Sequence, residues 1–287
     1  MTSPEIATAV EHARRANVTM VIGESDAGKT TLVTALAEAL ATRGLAVGVV
    51  DADLGQSEIG PPTTIGLGRV RGPLARLADA EVVALHFVGA TSPAGNLPAT
   101  LGGMRKMLDR ARDAGLDRVL IDTTGLIAGE LGRVLKQAKI ELADPDLVVC
   151  LERAGECEHI VRPYRQLARP VVLRLPIPGA ARSRGPEERR RYRQGRLQAY
   201  FASARSVALD LERIVLRGPA GEEVASAEAA GGGFDSALVG LEDRARDTLG
   251  LAVVRRMDAE KGTLHVDTPV PEERIAVVRI GRETSPE

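Results

Sequence analysis

Eight consecutive residues near the start of the chain have the types and spacing to hold a triphosphate. Gly23-Glu24-Ser25-Asp26-Ala27-Gly28-Lys29-Thr30 fits G-x-x-x-x-G-K-[ST] in full, and Thr31 follows. Glycines let successive backbone N–H groups face one anion, and a helix beginning at the lysine adds its positive end. In this pattern Lys29 reaches the β- and γ-phosphates and Thr30 offers its hydroxyl to magnesium. Glu24 and Asp26 are acids beside a polyanion and are expected to point to solvent.

Three further acids close apolar runs. Asp51 and Asp53 follow AVGVV (46–50), and Asp122 ends RVLID (118–122). In an open parallel sheet, ligands sit beyond the carboxyl ends of the strands. One of the two, Asp51 or Asp53, is expected to point at the nucleotide. Asp122 has the look of a magnesium-ligating acid. Gln56 either orients a hydroxyl or water or holds the loop that follows. Residues 182–196 hold seven arginines, at 182, 184, 189, 190, 191, 193 and 196. Pro186 suits a first helical turn, and Glu187 and Glu188 suit its positive end. Arg189, Arg193 and Arg196 then share one stripe of the helix, which could grip phosphoryl groups or a nucleic-acid backbone.

The elements that must position these residues alternate. A leading helix is predicted over 3–16, a buried strand over 18–22 and a helix from Lys29 to Arg43, stopped by Gly44. Further strands are predicted at 81–88, 118–122, 146–151 and 170–175, with helices near 98–114, 129–142, 156–168 and 186–200. This alternation implies an α/β fold of P-loop type, a mostly parallel sheet with helices on both faces. Beyond about residue 205 the pattern turns to short strands, at 208–218, 236–241, 248–257, 263–268 and 274–280, with a turn at 259–262. The expected organisation is therefore a leading helix (1–17), a P-loop domain (18–205) with an arginine-rich lid (182–201), and a small β-rich C-terminal domain (206–287).

Net charge is −1, so the whole molecule does not attract polyanions, and a nucleic-acid site must be a local basic patch. Aromatics make up 2% and there is no Trp, so the core is aliphatic and base-stacking platforms are scarce. Of the 38 basic residues five are Lys, leaving 33 Arg. Cys150 and Cys157 match no zinc or redox spacing. Neither a signal peptide nor an apolar run of membrane-spanning length is present in the sequence, and a cytoplasmic protein without membrane partners is expected.

Four separated blocks, in order, are specific: the loop at 23–30, DADLGQ (51–56), HFVGATSPAGN (86–96) and DTTGLIAG (122–129). With the basic helix at 182–201 they resemble the polynucleotide 5′-hydroxyl kinase family over roughly residues 18–205. The resemblance implies transfer of the γ-phosphate of ATP, or another triphosphate, to the 5′-OH of RNA or DNA with Mg²⁺. It implies that Lys29 and Thr30 serve the nucleotide and metal, and that Asp53 activates the hydroxyl near the metal. Arg189 and Arg193 match catalytic lid arginines. Candidate polynucleotide contacts are Gln56, Thr91, Thr124, Arg182 and Arg184. Where eukaryotic members carry a Trp after T-x-G, this chain has Leu126. The rival expectations are an ATP-binding scaffold of an RNA-processing complex and a P-loop ATPase switch.

Overall fold

The computed structural model describes residues 3–177, 184–225, 234, 236–258 and 260–284. Its centre is five parallel strands in the order β7-β6-β1-β5-β2. These are β1 (Val18–Gly23), β2 (Val47–Ala52), β5 (Arg118–Thr123), β6 (Leu147–Glu152) and β7 (Val171–Pro176). The inner strands are near-continuous apolar runs because helices cover both faces.

On one face lie α1 (Ser3–Arg15) and α2 (Lys29–Ala41). Leu32, Val33, Leu36, Ala37 and Leu40 of α2 are buried, a 3–4 residue spacing that packs on Val21, Val49, Leu120 and Val149. Each such leucine contributes about 1.5–3 kcal/mol by leaving water. The other face is covered by α3 (Leu97–Asp113) and α4 (Gly129–Ala143), packed on Met20, Ile22, Val50 and Ile121. Cys150 and Cys157 are buried within this second core.

Register sets the chemistry. Asp51 of β2 pairs with Asp122 of β5, and Val21 of β1 pairs with the same Asp122. The loop after β1 and the acids that end β2 and β5 therefore emerge side by side, at the carboxyl ends of adjacent strands.

Beyond β2 the sheet turns antiparallel through β3 (Thr64–Val70) and β4 (Glu81–Phe87). β3 is absent from the sequence reading. Its Gly66 and Gly68 weaken the strand pattern, yet a Cβ at Gly66 would lie 2.1 Å from the Ile59 carbonyl oxygen. The helix predicted at 156–168 is reduced to α5 (Glu158–Val161) and a 3₁₀ turn, Arg162–Tyr164. Pro163 lacks the N–H that would continue an α-helix. The strand predicted at 208–218 is two, β8 (Arg205–Asp210) and β9 (Val215–Arg217), split by a turn in which the Asp210 carboxylate accepts from Glu212 N at 2.9 Å.

The C-terminal strands are β10 (Ala237–Glu242), β11 (Thr248–Asp258), β12 (Thr263–Thr268) and β13 (Val277–Thr284). They continue the same sheet, with Thr248 of β11 paired to Leu85 of β4. Of the turn expected at 259–262, residue 259 lies outside the described residues. The last helix, α6 (Pro186–Phe201), joins the two regions. Its Leu197, Tyr200 and Phe201 pack on Phe87, Leu238, Leu251 and Val253, and Leu251 N donates to the Tyr200 hydroxyl at 2.8 Å. Among the described residues no helix is long and apolar enough to cross a membrane.

Candidate active site

The phosphate loop turns on Gly28, which caps α2 in the left-handed conformation (φ 90°). Asp26 is left-handed as well (φ 60°). Lys29 is buried and its ammonium donates to the Glu24 carbonyl at 2.6 Å, crossing the loop. The segment after β5 closes against the loop: a Cβ at Gly125 would lie 2.3 Å from Ser25 N, so only glycine fits.

A cleft of about 660 Å³ opens here. Ser25, Asp26, Gly28, Lys29, Thr30 and Thr31 line it from the loop side, and Asp53, Gln56 and Arg184 from the others. Gly23, Glu24 and Ala27 belong to the same loop without lining the cleft.

Behind the cleft the two acids of β2 have separated. Asp51 is buried and accepts from Asp53 N (3.1 Å), Glu58 N (2.6 Å) and Ile59 N (3.0 Å), so it holds the 53–59 loop. Burial raises its carboxyl above the ordinary range and Asp122 adds to that, against the Ile59 and Glu58 amides. Asp53 lines the cleft, and its Oδ1 accepts from Gly55 N and Gln56 N, each at 3.1 Å. Of the pair, Asp53 is the acid that faces the cleft. Asp122 is buried with Oδ2 accepting from the Thr30 hydroxyl at 2.6 Å, while Oδ1 has no partner among the described residues. Burial raises its carboxyl, opposed by Lys29 and the Thr30 hydroxyl.

Two lysines lie beneath these acids. Lys136 and Lys139 of α4 are fully buried. Lys136 donates to the Thr123 hydroxyl at 2.8 Å and to the Thr124 carbonyl, and Lys139 reaches the Ala52 carbonyl at 3.4 Å. Burial lowers both ammonium groups, Lys139 to about 8, with Asp53, Asp122 and Asp51 opposing the fall. The sequence held a signal: Gly132, Leu135, Lys136, Lys139 and Ile140 form one buried stripe of α4, so both lysines sit at core positions.

Asp26 corrects an expectation. It does not point to solvent. Its side chain is 7% exposed and accepts from Arg189 Nη2 at 2.7 Å and Arg184 N at 3.0 Å. Burial pushes its carboxyl up, but Arg184 and Arg189 outweigh that and hold it below the usual range. Glu24, by contrast, is 47% exposed and lies 3.7 Å from Arg153.

The arginine stripe of α6 is thus pinned at both ends. Arg189 holds the phosphate loop through Asp26, and Arg196 donates to the Glu58 and Gly60 carbonyls at 2.7 and 2.9 Å. Arg193 lies between them on the same stripe, half-buried and without an ion pair or hydrogen bond among the described residues. Arg184 stacks over Tyr192, 5.6 Å from the ring centroid. Arg182 lies outside the described residues. Thr124 is buried, with its carbonyl taken by Lys136. Thr91 sits beside the 53–56 block, since a Cβ at Gly55 would meet the Thr91 carbonyl oxygen at 2.9 Å. Tyr192 and Arg76 also line the cleft and were not singled out from the sequence.

Loop, flanking strand and helix, paired acids and sheet order together define a P-loop nucleoside-triphosphate-binding protein. A family model described as mRNA cleavage and polyadenylation factor CLP1 P-loop matches residues 23–203, and the chain belongs to that family. It is 37% identical over 205 residues to a polyribonucleotide 5′-hydroxyl-kinase of Pyrococcus furiosus, covering 71% of this chain and 56% of that one. It is 29% identical over 306 residues to a polyribonucleotide 5′-hydroxyl-kinase of Methanocaldococcus jannaschii, covering 91% and 84%. The chain thus spans little more than half the length of the Pyrococcus furiosus relative. Among solved structures, Clp1p in the Clp1p–Pcf11p complex superposes with a TM-score of 0.77 at 15% identity, over 99% of this chain and 79% of that one, a likeness of fold.

Proposed function

We propose that the chain transfers the γ-phosphate of ATP, or another nucleoside triphosphate, to the 5′-hydroxyl of RNA or DNA, using Mg²⁺. The observation that carries this is the shared cleft: the phosphate loop and Asp53 line one space, and a pinned arginine helix runs beside it. The names of the relatives support the same reaction.

The loop amides and Lys29 hold the phosphates, and the α2 N-terminus favours their charge. Asp53 accepts the hydroxyl proton, its carboxylate oriented by the Gly55 and Gln56 amides. Asp51 keeps that loop in place. Arg193, between the two pins of α6, meets charge that develops on the transferring group. Gln56, Thr91 and Arg184 are assigned to the polynucleotide end, with Thr124 positioned behind them.

The oxygen donors fit magnesium. Asp122 offers a buried Oδ1 without a partner among the described residues, next to the Thr30 hydroxyl, and Asp53 faces the same cleft. Among the described residues no group of three or more His, Cys, Asp or Glu forms a cage. Mg²⁺ characteristically uses one or two carboxylates together with waters and substrate phosphates. Thr30, Asp122 and Asp53 would hold it, and it would supply charge neutralisation at the phosphates.

The test is transfer of labelled γ-phosphate from ATP to 5′-OH oligoribonucleotides and oligodeoxyribonucleotides, with and without Mg²⁺, for the wild type and Lys29→Ala. Magnesium-dependent labelling lost in Lys29→Ala is expected. ATP binding without any labelling would overturn the enzyme reading in favour of a nucleotide-bound scaffold, the reading that Leu126 at the family's Trp position favours.

A further inference from the structure

We propose that a second cleft, between α3 and the C-terminal strands, takes the backbone phosphates of the polynucleotide downstream of its 5′ end. This rests on the substrate class proposed above. The cleft measures about 580 Å³ and its lining includes His86, Asn96, Lys106, Arg246, Arg279 and Arg282.

Its charges do not cancel. Buried Glu242 is neutralised by Arg279 at 2.8 Å. Asp247 is neutralised by Lys106 at 3.1 Å and by Arg110. Arg246 and Arg282 are exposed, and their guanidinium groups have no partner among the described residues. Two positive charges therefore face this space uncompensated. His86 is partly buried against Gly103, and its Nδ1 is buried with no partner among the described residues. The N-terminus of α3 opens into the same space: Pro98, Ala99 and Gly102 line it, and Asn96 makes no side-chain cap. The first-turn amides of Leu97 and Ala99 have no intrahelical acceptor. Free guanidiniums and an open helix N-terminus together suit phosphate.

The cleft is tied to the reacting end by one loop. Thr91 packs on Gly55, next to Asp53, while Gly95 and Asn96 line the second cleft. Five extended residues span at most about 18 Å. At about 3.4 Å per nucleotide in a stacked strand, that is about five nucleotides, and fewer when extended. The two clefts thus lie within the reach of a short oligonucleotide.

The test measures fluorescence anisotropy of 3′-labelled 5′-OH oligoribonucleotides, a dinucleotide and a decamer, on the full chain. It compares the wild type with the double variant Arg246→Asn/Arg282→Ala. Asn is chosen because Arg246 has φ 63°, which Asn tolerates. Arg244→Ala, which removes an exposed charge outside the cleft, is the control. The wild type should bind the decamer at least about tenfold more tightly than the dinucleotide. The double variant should lose that gain, with its salt slope smaller by about 1.4, while dinucleotide binding and Arg244→Ala stay as wild type. An undiminished length gain in the double variant overturns the proposal. So does a site for free anions alone, which would show as stabilisation by inorganic phosphate lost in the double variant while the length gain persists. Because binding is read without turnover, loss of the length gain in a chain that transfers no phosphate would uphold this cleft and sink the kinase reading instead.

Discussion

Asp26→Asn removes one charge from the phosphate loop and should loosen one end of α6 only. Asn matches the volume of Asp and accepts a left-handed φ, so the loop backbone at 60° is retained. Its amide oxygen can still accept from Arg184 N. What disappears is the charge that meets Arg189 Nη2 at 2.7 Å. A hydrogen bond between charged groups is worth about 1.5–3 kcal/mol. The arginine side chains are 30% and 41% exposed, so water shares them, and about 1.4 kcal/mol, just below that range, is the working value. That is about a tenfold change in the docking equilibrium. Amide hydrogen exchange in residues 189–193 should therefore quicken by about tenfold. Residues 197–201 should change little, because Leu197, Tyr200 and Phe201 remain packed on β10 and β11. The sign with pH follows from the lowered Asp26 carboxyl. Its contribution is present above the unfolded value, about 3.9, and is lost only as pH falls through the lower folded value. Corrected exchange rates in the wild type should thus show a constant contribution from this pair between pH 5 and 8. Uniform acceleration along all of α6, or none, would refute the two-pin description.

Five further substitutions separate roles that are adjacent in space. Arg193→Ala should lower kcat by at least about 100-fold with a smaller change in nucleotide affinity, by the scale of arginines that stabilise transferring phosphate. Arg189→Ala should instead reproduce the exchange pattern of Asp26→Asn, and steady-state kinetics with exchange on both variants would expose an error if the two behave alike. Asp53→Asn should retain ATP binding and lose transfer. Asp51→Asn should lower the melting temperature, since three backbone N–H groups depend on that carboxylate; an Asp53→Asn variant with normal turnover would reverse the assignment. Lys136→Met leaves the Thr124 carbonyl without its donor, at a cost of about 1–3 kcal/mol. Calorimetry should record a melting temperature lower by several degrees, with a raised ATP KM as the 123–125 segment loosens against Ser25; an unchanged melting temperature would contradict that role.

What the sequence makes legible is what local spacing determines. The phosphate loop is eight contiguous residues between a strand and a helix, and its left-handed turn at the start of α2 is signalled by Gly28, though the one at Asp26 is not signalled by a glycine. Asp51 and Asp53, two residues apart, would share a face if β2 continued; they separate because the strand ends at Ala52, and burial then assigns Asp51 to the loop and Asp53 to the cleft. Strand β3 escapes because Gly66 and Gly68 are dictated by Ile59 packing across them, a contact outside the strand's own sequence. The second cleft escapes for a related reason: its lining comes from β4, α3 and the C-terminal strands, and no short window contains two of its unpaired arginines.

The arginine helix shows where spacing stops being sufficient. By period alone Arg189, Arg193 and Arg196 are equivalent members of one stripe. Their partners make them unequal. Asp26 is 163 residues from Arg189 in sequence, and the Glu58 carbonyl is 138 residues from Arg196. Those two arginines are committed to holding the phosphate loop and the acid-bearing loop at the two ends of one rigid helix. Arg193, one turn from either, keeps its donors unpaired among the described residues. A guanidinium whose Nη2 already holds a loop is committed to that loop, whereas one positioned by its neighbours and left without a partner keeps its donors for charge that appears only during transfer. The physical basis for proposing Arg193, rather than Arg189 or Arg196, for the transferring group is therefore the pairing of its neighbours, which fixes its position without consuming its charge.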